Sequence, residues 1–427
     1  MNTQRVLVFP GGTEIGLEIN QALRACKEIS LLSAGMEGAD HAPYVFDRHF
    51  ILPHVSDEAW LDKLNGLIKQ ENITHIFPAH DDVSLVLARN QRLIQASILC
   101  SPVETCEVLR SKRRTYELLK EVIPTPKVFD VIDDVSAFPV FCKPDRGQGA
   151  QGARRIENSK ELDCLSELWD DLVVAEYLPG NEFTVDCFSD REKGLLFHGG
   201  RLRERIRNGI AVATRPVIDE VFAFFALRIS ERFKFHGAWF FQLKADRFGT
   251  LKLLEASPRI AGSMAMYRAL GVNFPLLTVM ESLRMPISIM PNSIDIKLNR
   301  ALANRFEANI EYDTVYIDFD DTIVVHDRLN TLAVRLLFQW VQSGKRIVLL
   351  TRHKGDLYKT LNRFRLSQMF DEVHIINDGV SKSEYIDGTK RSVFIDDSFR
   401  ERSEVANRHR IPTFDTSMIE ALVDDRA

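Results

Sequence analysis

Lysines, glycines and carboxylates recur in this 427-residue chain at spacings that suit phosphate chemistry. Residues 138–152 form an apolar run that delivers Lys143 and then Gly147, Gly149 and Gly152. Glycines let backbone N–H groups approach phosphate oxygens, and a lysine supplies a point charge. No Gly-Lys-Ser/Thr follows, so this is not a Walker A loop, and a flexible hairpin with a snorkelling lysine explains the same residues. Lys112 stands at the head of the helical stretch before Pro124. Further on, Glu176-Tyr-Leu178-Pro-Gly-Asn-Glu182-Phe-Thr-Val-Asp186 reads as a strand, a turn and a returning strand. Glu176 and adjoining backbone suit an adenine edge, and Glu182 suits ribose hydroxyls; a solvated hairpin with surface acids is the other reading. Two more apolar strands each bring one oxygen ligand, Gln242 and Glu255, with Ser257 on the face of Glu255. Hard oxygens beside phosphates suit Mg²⁺, although a satisfied polar pair has the same residues. Arg259 offers a fork to a carboxylate or an acyl phosphate. Arg203, Arg205 and Arg207 alternate, which predicts one strand face that either lines an acidic-substrate pocket or is a solvated edge.

A second group follows. Asp318-Phe-Asp320-Asp321-Thr322, Thr351, Lys382 and Asp396-Asp397 each fall at or near the end of an apolar strand pattern. Open parallel sheets place their sites at such ends. Acids gathered there repel one another without a cation, which implies Mg²⁺.

The elements that must position these residues are of two kinds. Residues 6–9, 29–32 and 73–78 are β-type runs, and residues 14–25 and 83–90 carry helical patterns between and after them. That alternation predicts βαβ units and a parallel sheet. Residues 106–122 read as one long helix that stops at Pro124-Thr-Pro126. Beyond residue 138, runs at 140–143, 173–177, 183–187, 237–244 and 252–256 predict an α+β unit with a sizeable antiparallel sheet. Residues 285–293 are marked by Pro and Ser and are expected at the periphery, while residues 299–306 separate the two groups of motifs and belong to neither. A new pattern, with strands at 314–318, 346–350, 373–376 and 392–395 and a helix at 330–342, predicts a second parallel α/β domain. The fold class is α/β and α+β multidomain. Gly11-Gly12-Thr-Glu-Ile-Gly16 departs from the dinucleotide fingerprint, and no clean acid follows the second strand, which weighs against NAD.

Composition bounds the rest. Hydrophobic residues are 45% and charged residues 27%, an ordinary globular balance, and the length suggests about three domains. The net charge of −5 argues against a protein that grips nucleic acid through bulk positive charge. From Glu311 onward 17 Lys+Arg face 20 Asp+Glu, against 38 and 40 before it, so neither part is a basic arm or an acidic tail. Six cysteines without a C-x-x-C pair predict free thiols in a reducing compartment. No signal-peptide core and no membrane-length apolar run is present, so the expectation is a cytoplasmic protein with no membrane partner. An oligomer is left open.

Taken in order, the first group resembles the ATP-grasp superfamily over about residues 1–300, in its carbamoyl-phosphate synthetase and pyrrolysine-ligase flavour. Phe77-Pro-Ala-His-Asp-Asp82 and Leu85-Val-Leu-Ala-Arg-Asn90 add to the likeness. The resemblance implies a Rossmann-like pre-ATP-grasp domain over residues 1–105, walling the substrate site, and an ATP-grasp domain over 106–300. It implies ATP phosphates at Lys112, Lys143 and the three glycines, adenine at Glu176 and Leu178, and ribose at Glu182. It implies Mg²⁺, or Mn²⁺ in its place, at Gln242 and Glu255. The family often has Asn where this chain has Ser257, so a second metal there would be weaker or completed by water. Such enzymes phosphorylate a carboxylate from ATP, and an amine, thiol or similar nucleophile displaces the phosphate; Arg259 would serve the acyl phosphate. Positioning and charge neutralisation suffice for this.

Residues 311–427 resemble the haloacid-dehalogenase superfamily of phosphohydrolases. That resemblance implies Asp318 as the nucleophile and Asp320 as general acid and base. Thr351 and Lys382 would bind the phosphate. Asp396, Asp397, Asp318 and the carbonyl of Asp320 would hold Mg²⁺. About thirty residues separate Thr322 from Thr351, too few for a large cap domain, so the site is expected to be open. Together the two resemblances imply a bifunctional ligase and phosphatase, acting on a small-molecule carboxylate, a nucleophile and a phosphate ester, with no nucleic-acid partner. Two rivals stay open: a phosphatase whose ATP-grasp module only binds nucleotide, and a non-catalytic nucleotide-binding scaffold.

Overall fold

The computed structural model describes residues 3–38, 40–147 and 149–426. The chain divides into two compact units, Met1–Leu302 and Ala303–Ala427. Among the described residues no helix is long and apolar enough to cross a membrane, and all six cysteines are free.

In the first unit, Val6, Leu7 and Val8 are fully buried, as a strand covered on both faces requires. They belong to β1 (Gln4–Phe9), the centre of a five-stranded parallel sheet. Its order is β3-β2-β1-β4-β5, with β2 (Ile29–Gly35), β3 (His49–Ile51), β4 (His75–Pro78) and β5 (Ser97–Ile98). Helices α1 (Glu14–Leu23), α2 (Trp60–Glu71) and α3 (Asp81–Arg89) connect the strands. The Thr13 hydroxyl caps α1 by accepting from the Gly16 N–H. Gly16 is where this helix meets the chain leaving β1: a Cβ there would stand 2.3 Å from the Gly11 carbonyl oxygen.

The single helix expected over residues 106–122 is two helices, α4 (Val103–Leu109) and α5 (Lys112–Leu119). Ser111 is extended between them, and its hydroxyl accepts from the Arg114 N–H. A serine that offers the backbone this alternative partner starts a new helix instead of continuing the old one. The break places Lys112 at the head of α5.

Two antiparallel sheets follow. The smaller runs β6-β9-β7-β8, with β6 (Val128–Phe129), β7 (Val140–Pro144), β8 (Arg154–Ile156) and β9 (Leu172–Glu176). A short helix, α6 (Ser159–Asp163), follows β8. The larger sheet runs β14-β13-β10-β11-β12-β15. Its strands are β10 (Glu182–Asp190), β11 (Gly194–Arg207), β12 (Ile210–Val217), β13 (Gly237–Ala245), β14 (Leu251–Ser257) and β15 (Leu298–Asn299). Helix α7 (Glu220–Arg232) buries Phe222, Phe225 and Ile229 in one core with Val185, Trp239 and Phe241. The alternate residues Phe188, Ala238 and Phe240 share a different core with Val6 of β1 and Ile19 of α1. Residues around α8 (Ala265–Ala269) and α9 (Phe274–Ser282) complete that core. The first hundred residues and the larger sheet are therefore joined by buried apolar contact.

Two expectations are corrected here. Arg203, Arg205 and Arg207 do not share one face, because the β11–β12 ladder shifts register between Arg203 and Arg205 and again before Ile206. Regular pairing up to Arg203 keeps it buried, and the bulges beyond it leave Arg205 and Arg207 exposed. Asn299 is no part of a bare connection: β15 pairs with Ala213 and Thr214 of β12 and closes the sheet's edge.

The second unit is built on β16 (Thr314–Ile317). A two-residue hairpin, β17 (Val324–Val325) with β18 (Arg328–Leu329), precedes α10 (Thr331–Gln342). Then come β19 (Arg346–Thr351), α11 (Leu357–Arg363), β20 (Glu372–Ile375), β21 (Ser392–Ile395), α12 (Phe399–His409) and β22 (Thr413–Phe414). The sheet is wholly parallel in the order β20-β19-β16-β21-β22. The reversal of order beside β16 sets the strand ends for a site. Leu336, Leu337 and Trp340 of α10 pack on Val315, Ile317 and Val393.

Gly16→Ala is expected to destabilise the first unit by about 1–3 kcal/mol, because the added methyl has no room against the Gly11 carbonyl. Urea unfolding of the full chain reads this as a lower midpoint for the transition that reports on this unit.

Candidate active sites

Pairing across the larger sheet sets the geometry of the first site. Gln242 on β13 lies directly opposite Glu255 on β14, and the register shifts immediately after Gln242. Both side chains line two adjoining cavities, of about 230 Å³ and about 690 Å³. The smaller is walled by Lys143 and Phe141 of β7, Glu176 and Leu178 at the end of β9, Glu182 and Arg203, and by Gly147 and Gly149. Gly152 does not line either cavity and packs on Pro144. Gly209, in the β11–β12 turn, has φ +74, and a Cβ there would meet Gly149 and Ala150 backbone at 2.4 and 2.7 Å. That turn and the glycine loop close on each other over the cavity, and only glycine permits the approach.

The cations of this cavity are short of counter-charge. Lys112 Nζ donates to the carbonyls of Pro144, Asp145 and Gly147 at 3.1–3.3 Å. Lys143 Nζ donates to the Tyr116 hydroxyl at 2.7 Å and the Leu254 carbonyl at 3.1 Å. Neither lysine has an ion-pair partner among the described residues. Burial holds the Lys143 ammonium down to about 8, with Glu255 and Glu182 opposing the shift. Burial also lowers Lys112. Arg203 bridges Glu182, Gln242 and the Gly209 carbonyl, yet its Nε is buried without an acceptor. Lysines holding positive charge among neutral oxygens, beside a Gln–Glu oxygen pair, fit a polyphosphate and a hard divalent cation. The Glu176 carboxylate is engaged by the Lys127 N–H at 2.7 Å and Lys252 Nζ at 2.5 Å.

The larger cavity is bounded by Thr13, Glu14 and Asp81 at the starts of α1 and α3, by Ser257 at the end of β14 with Arg259 beyond it, and by Arg300 after β15. Arg259 forks onto Asp81, at 2.7 Å from both Nε and Nη2, and the Ser257 hydroxyl donates to the same carboxylate at 2.8 Å. Burial works to raise the Asp81 carboxyl, but the charge and hydrogen bonds of Arg259, with Ser257 and Arg110, outweigh it and hold the group below the usual carboxylate range. Arg259, the fork anticipated for a substrate carboxylate, is thus met by a carboxylate of the chain. Ser257, anticipated at a second metal, turns to Asp81.

In the second unit, the strand ends of β16 and β21 bring Asp318, Asp396 and Asp397 together, with one oxygen of each within 4.8 Å of the others. Lys382 Nζ bridges Asp318 at 2.7 Å and Asp396 at 2.6 Å. One ammonium does not neutralise two buried carboxylates. Burial pushes both carboxyls up, with Lys382 opposing. The surplus negative charge on oxygen donors fits a divalent cation. Thr351 is fully buried, and its hydroxyl accepts from the His353 N–H at 3.1 Å. The Asp320 side chain stands apart from the cluster, with both oxygens at His353 Nδ1. Arg352, His353 and Lys354 line the same open cavity as the acids.

Sequence reading assigned no role to Asp81, Tyr116, Arg300 or His353. Two of these had a signal: Asp81 follows the end of β4 and His353 the end of β19, the positions where parallel sheets gather functional groups.

Residues 109–203 match the family model described as an ATP-grasp domain. Residues 169–300 match one described as ATP-grasp in the biosynthetic pathway with Ter operon. No protein with a curated description matches the chain. Among solved structures, the biotin carboxylase domain of the Hydrogenobacter thermophilus 2-oxoglutarate carboxylase, in complex with MgADP and bicarbonate, superposes with a TM-score of 0.57 at 16% identity, covering 69% of this chain and 73% of that one. The N5-carboxyaminoimidazole synthetase of Staphylococcus aureus, complexed with ADP, gives 0.55 at 17% identity, covering 68% and 80%. The L-amino acid ligase of Bacillus licheniformis gives 0.52 at 18% identity, covering 66% and 74%. With both family models falling within residues 109–300 and these neighbours sharing its architecture, the first unit has the ATP-grasp fold.

Proposed function

We propose that the chain is a bifunctional enzyme, an ATP-dependent carboxylate ligase in its first unit and a phosphohydrolase in its second. The observation that carries the ligase reading is the facing pair Gln242 and Glu255 beside two lysines without carboxylate partners. Lys143 and Lys112 take the phosphates, Glu182 the ribose, and the backbone near Leu178 with the apolar wall the adenine. Gln242 and Glu255 would hold Mg²⁺, which when bound offsets charge on the phosphates. The carboxylate substrate occupies the larger cavity, where it receives the γ-phosphoryl group before an amine or other nucleophile displaces phosphate. A family model described by a biosynthetic pathway, and neighbours that include an amino acid ligase, support a small-molecule ligase.

For the second unit the reading rests on Lys382 bridging Asp318 and Asp396 at the strand ends. Asp318 attacks phosphorus and Lys382 screens it; Asp320 protonates the leaving oxygen and later takes a proton from the attacking water. Asp318, Asp396 and Asp397 would hold Mg²⁺. The strand and helix connections around this cavity carry no cap domain among the described residues, which suits bulky phosphate esters.

Transfer of the γ-phosphoryl group requires ADP and phosphate as products. Chromatography of reactions with a panel of amino, hydroxy and uronic acids and amine acceptors is expected to show ADP, and AMP with pyrophosphate would overturn the acyl-phosphate route.

ATP binding is expected to weaken as pH rises through about 8. The ammonium form of Lys143 meets phosphate, so above that value the free protein must take up a proton to bind. Calorimetry near pH 9 in two buffers of different ionisation enthalpy measures that uptake. Lys143→Ala is expected to abolish it and weaken ATP about 10- to 100-fold, one charge-assisted hydrogen bond.

Asp318→Asn removes the attacking charge. Hydrolysis of p-nitrophenyl phosphate is expected to fall by roughly 10³-fold or more in a protein that retains its circular dichroism spectrum and its ATP affinity.

A further inference from the structure

Asp320 is the acid and base of the phosphatase reading, yet nothing in the acid cluster holds its side chain. Both of its oxygens instead lie within hydrogen-bond distance of a single atom, His353 Nδ1, at 2.9 and 3.0 Å. The other ring nitrogen, Nε2, is 3.2 Å from the Thr360 hydroxyl on α11. That hydroxyl is itself directed at the Asp356 carbonyl, at 3.1 Å. Both ring nitrogens thus have an oxygen partner, Nε2 the Thr360 hydroxyl and Nδ1 the Asp320 carboxyl; an Nδ1–H donating to one carboxyl oxygen leaves the other free to give and take a proton.

The residue is held elsewhere as well. The His353 backbone N–H donates to the Thr351 hydroxyl at 3.1 Å, and Phe319 meets the imidazole edge-on, with ring centroids 5.5 Å apart. His353 is 14% exposed and Asp320 48%, so a rigid, covered group faces a carboxyl that opens onto the cavity. A carboxyl with this much solvent access has many rotamers to choose from, and a general acid must hold one of them.

We infer that His353 is a positioning residue of the phosphatase site, its ring anchored by Thr360, which holds the carboxyl of Asp320 in one place on the wall of the acid cavity. The inference rests on the phosphatase reading of the second unit. As the P–O bond breaks, phosphorus passes to Asp318 and the proton of Asp320 goes to the leaving oxygen. In the hydrolysis step Asp320 takes a proton from the attacking water and is protonated again. His353 gains and loses no net proton over the cycle; it keeps the acid where the ester oxygen departs.

Leaving-group acidity separates this role from a structural one. Protonation matters little for p-nitrophenol, a good leaving group, and much for phenol, which is nearly the same shape. The full-length protein with Mg²⁺ is assayed on p-nitrophenyl phosphate and phenyl phosphate. His353→Ala is expected to raise the ratio of kcat/KM for the first ester over the second by about 10-fold or more relative to the unmutated chain. His353→Asn, which keeps a hydrogen-bonding group near the place of Nδ1, is expected to restore part of the ratio. Thr360→Val, which removes the anchor of Nε2 from outside the cavity, is expected to shift the ratio in the same direction by less. An unchanged ratio in folded His353→Ala and Thr360→Val proteins overturns the inference while leaving the phosphatase reading intact. Failure of the unmutated, folded protein to hydrolyse either ester overturns the phosphatase reading and the inference with it.

Discussion

Charge withdrawn from water must be met by charge, and both sites depend on where this chain leaves that demand unmet. Lys112 and Lys143 are held by neutral oxygens, so their positive charge has no carboxylate partner of its own. Lys382 is in the reverse position, one ammonium between two buried carboxylates. Each imbalance lies at a cavity, where a ligand of the opposite sign would complete it. Elsewhere the buried charges are closed pairs: Arg201 with Asp186, Arg268 with Glu18, Arg191 with Glu281. The contrast between closed and open charge is what marks the sites within a chain rich in ion pairs.

Backbone register carries this arrangement. Gln242 and Glu255 face each other because β13 and β14 pair without a slip up to that point, and the shift just beyond it falls at the cavity. The unbroken β11–β12 ladder up to Arg203 keeps it inward, on the face of Arg201, to reach Glu182 and Gln242, while the bulges just beyond turn Arg205 and Arg207 into water. A one-residue slip in any of these strands would send the side chain to the opposite face. In the second unit the parallel ladder of β16 with β19 and β21 aligns strand ends, so the acids that follow converge.

The tie between Arg259 and Asp81 has a different consequence. It joins the end of the larger sheet to the first turn of α3, across one wall of the larger cavity. The fork is oriented by this carboxylate before any substrate enters, and the shared core around Val6, Phe188 and Phe274 keeps the two walls in contact.

Much of the fold was legible in the residues alone. Apolar runs marked β1, β7, β16 and β21, and those at 237–244 and 252–256 marked the pair that carries Gln242 and Glu255. The four acids were legible for the same reason: local strand pattern places them at strand ends; Lys382, expected at a strand end too, lies instead in a short turn, Lys382–Tyr385, beyond β20. The helix break at Ser111 was not, because a polar residue inside a helical pattern does not say whether its hydroxyl caps or faces water. Nor were the bulges of β11, since an alternating Arg pattern is the same with or without an extra residue in the ladder. The partners of Arg259 and Asp320 were hidden more deeply. Asp81 and Arg259 lie 178 residues apart, and His353 lies 33 residues from Asp320. Sequence determines which groups are charged and which strands carry them; which charges end up closed and which stay open is decided by packing between distant segments, because only the folded chain sets the distances on which ion pairs and hydrogen bonds depend.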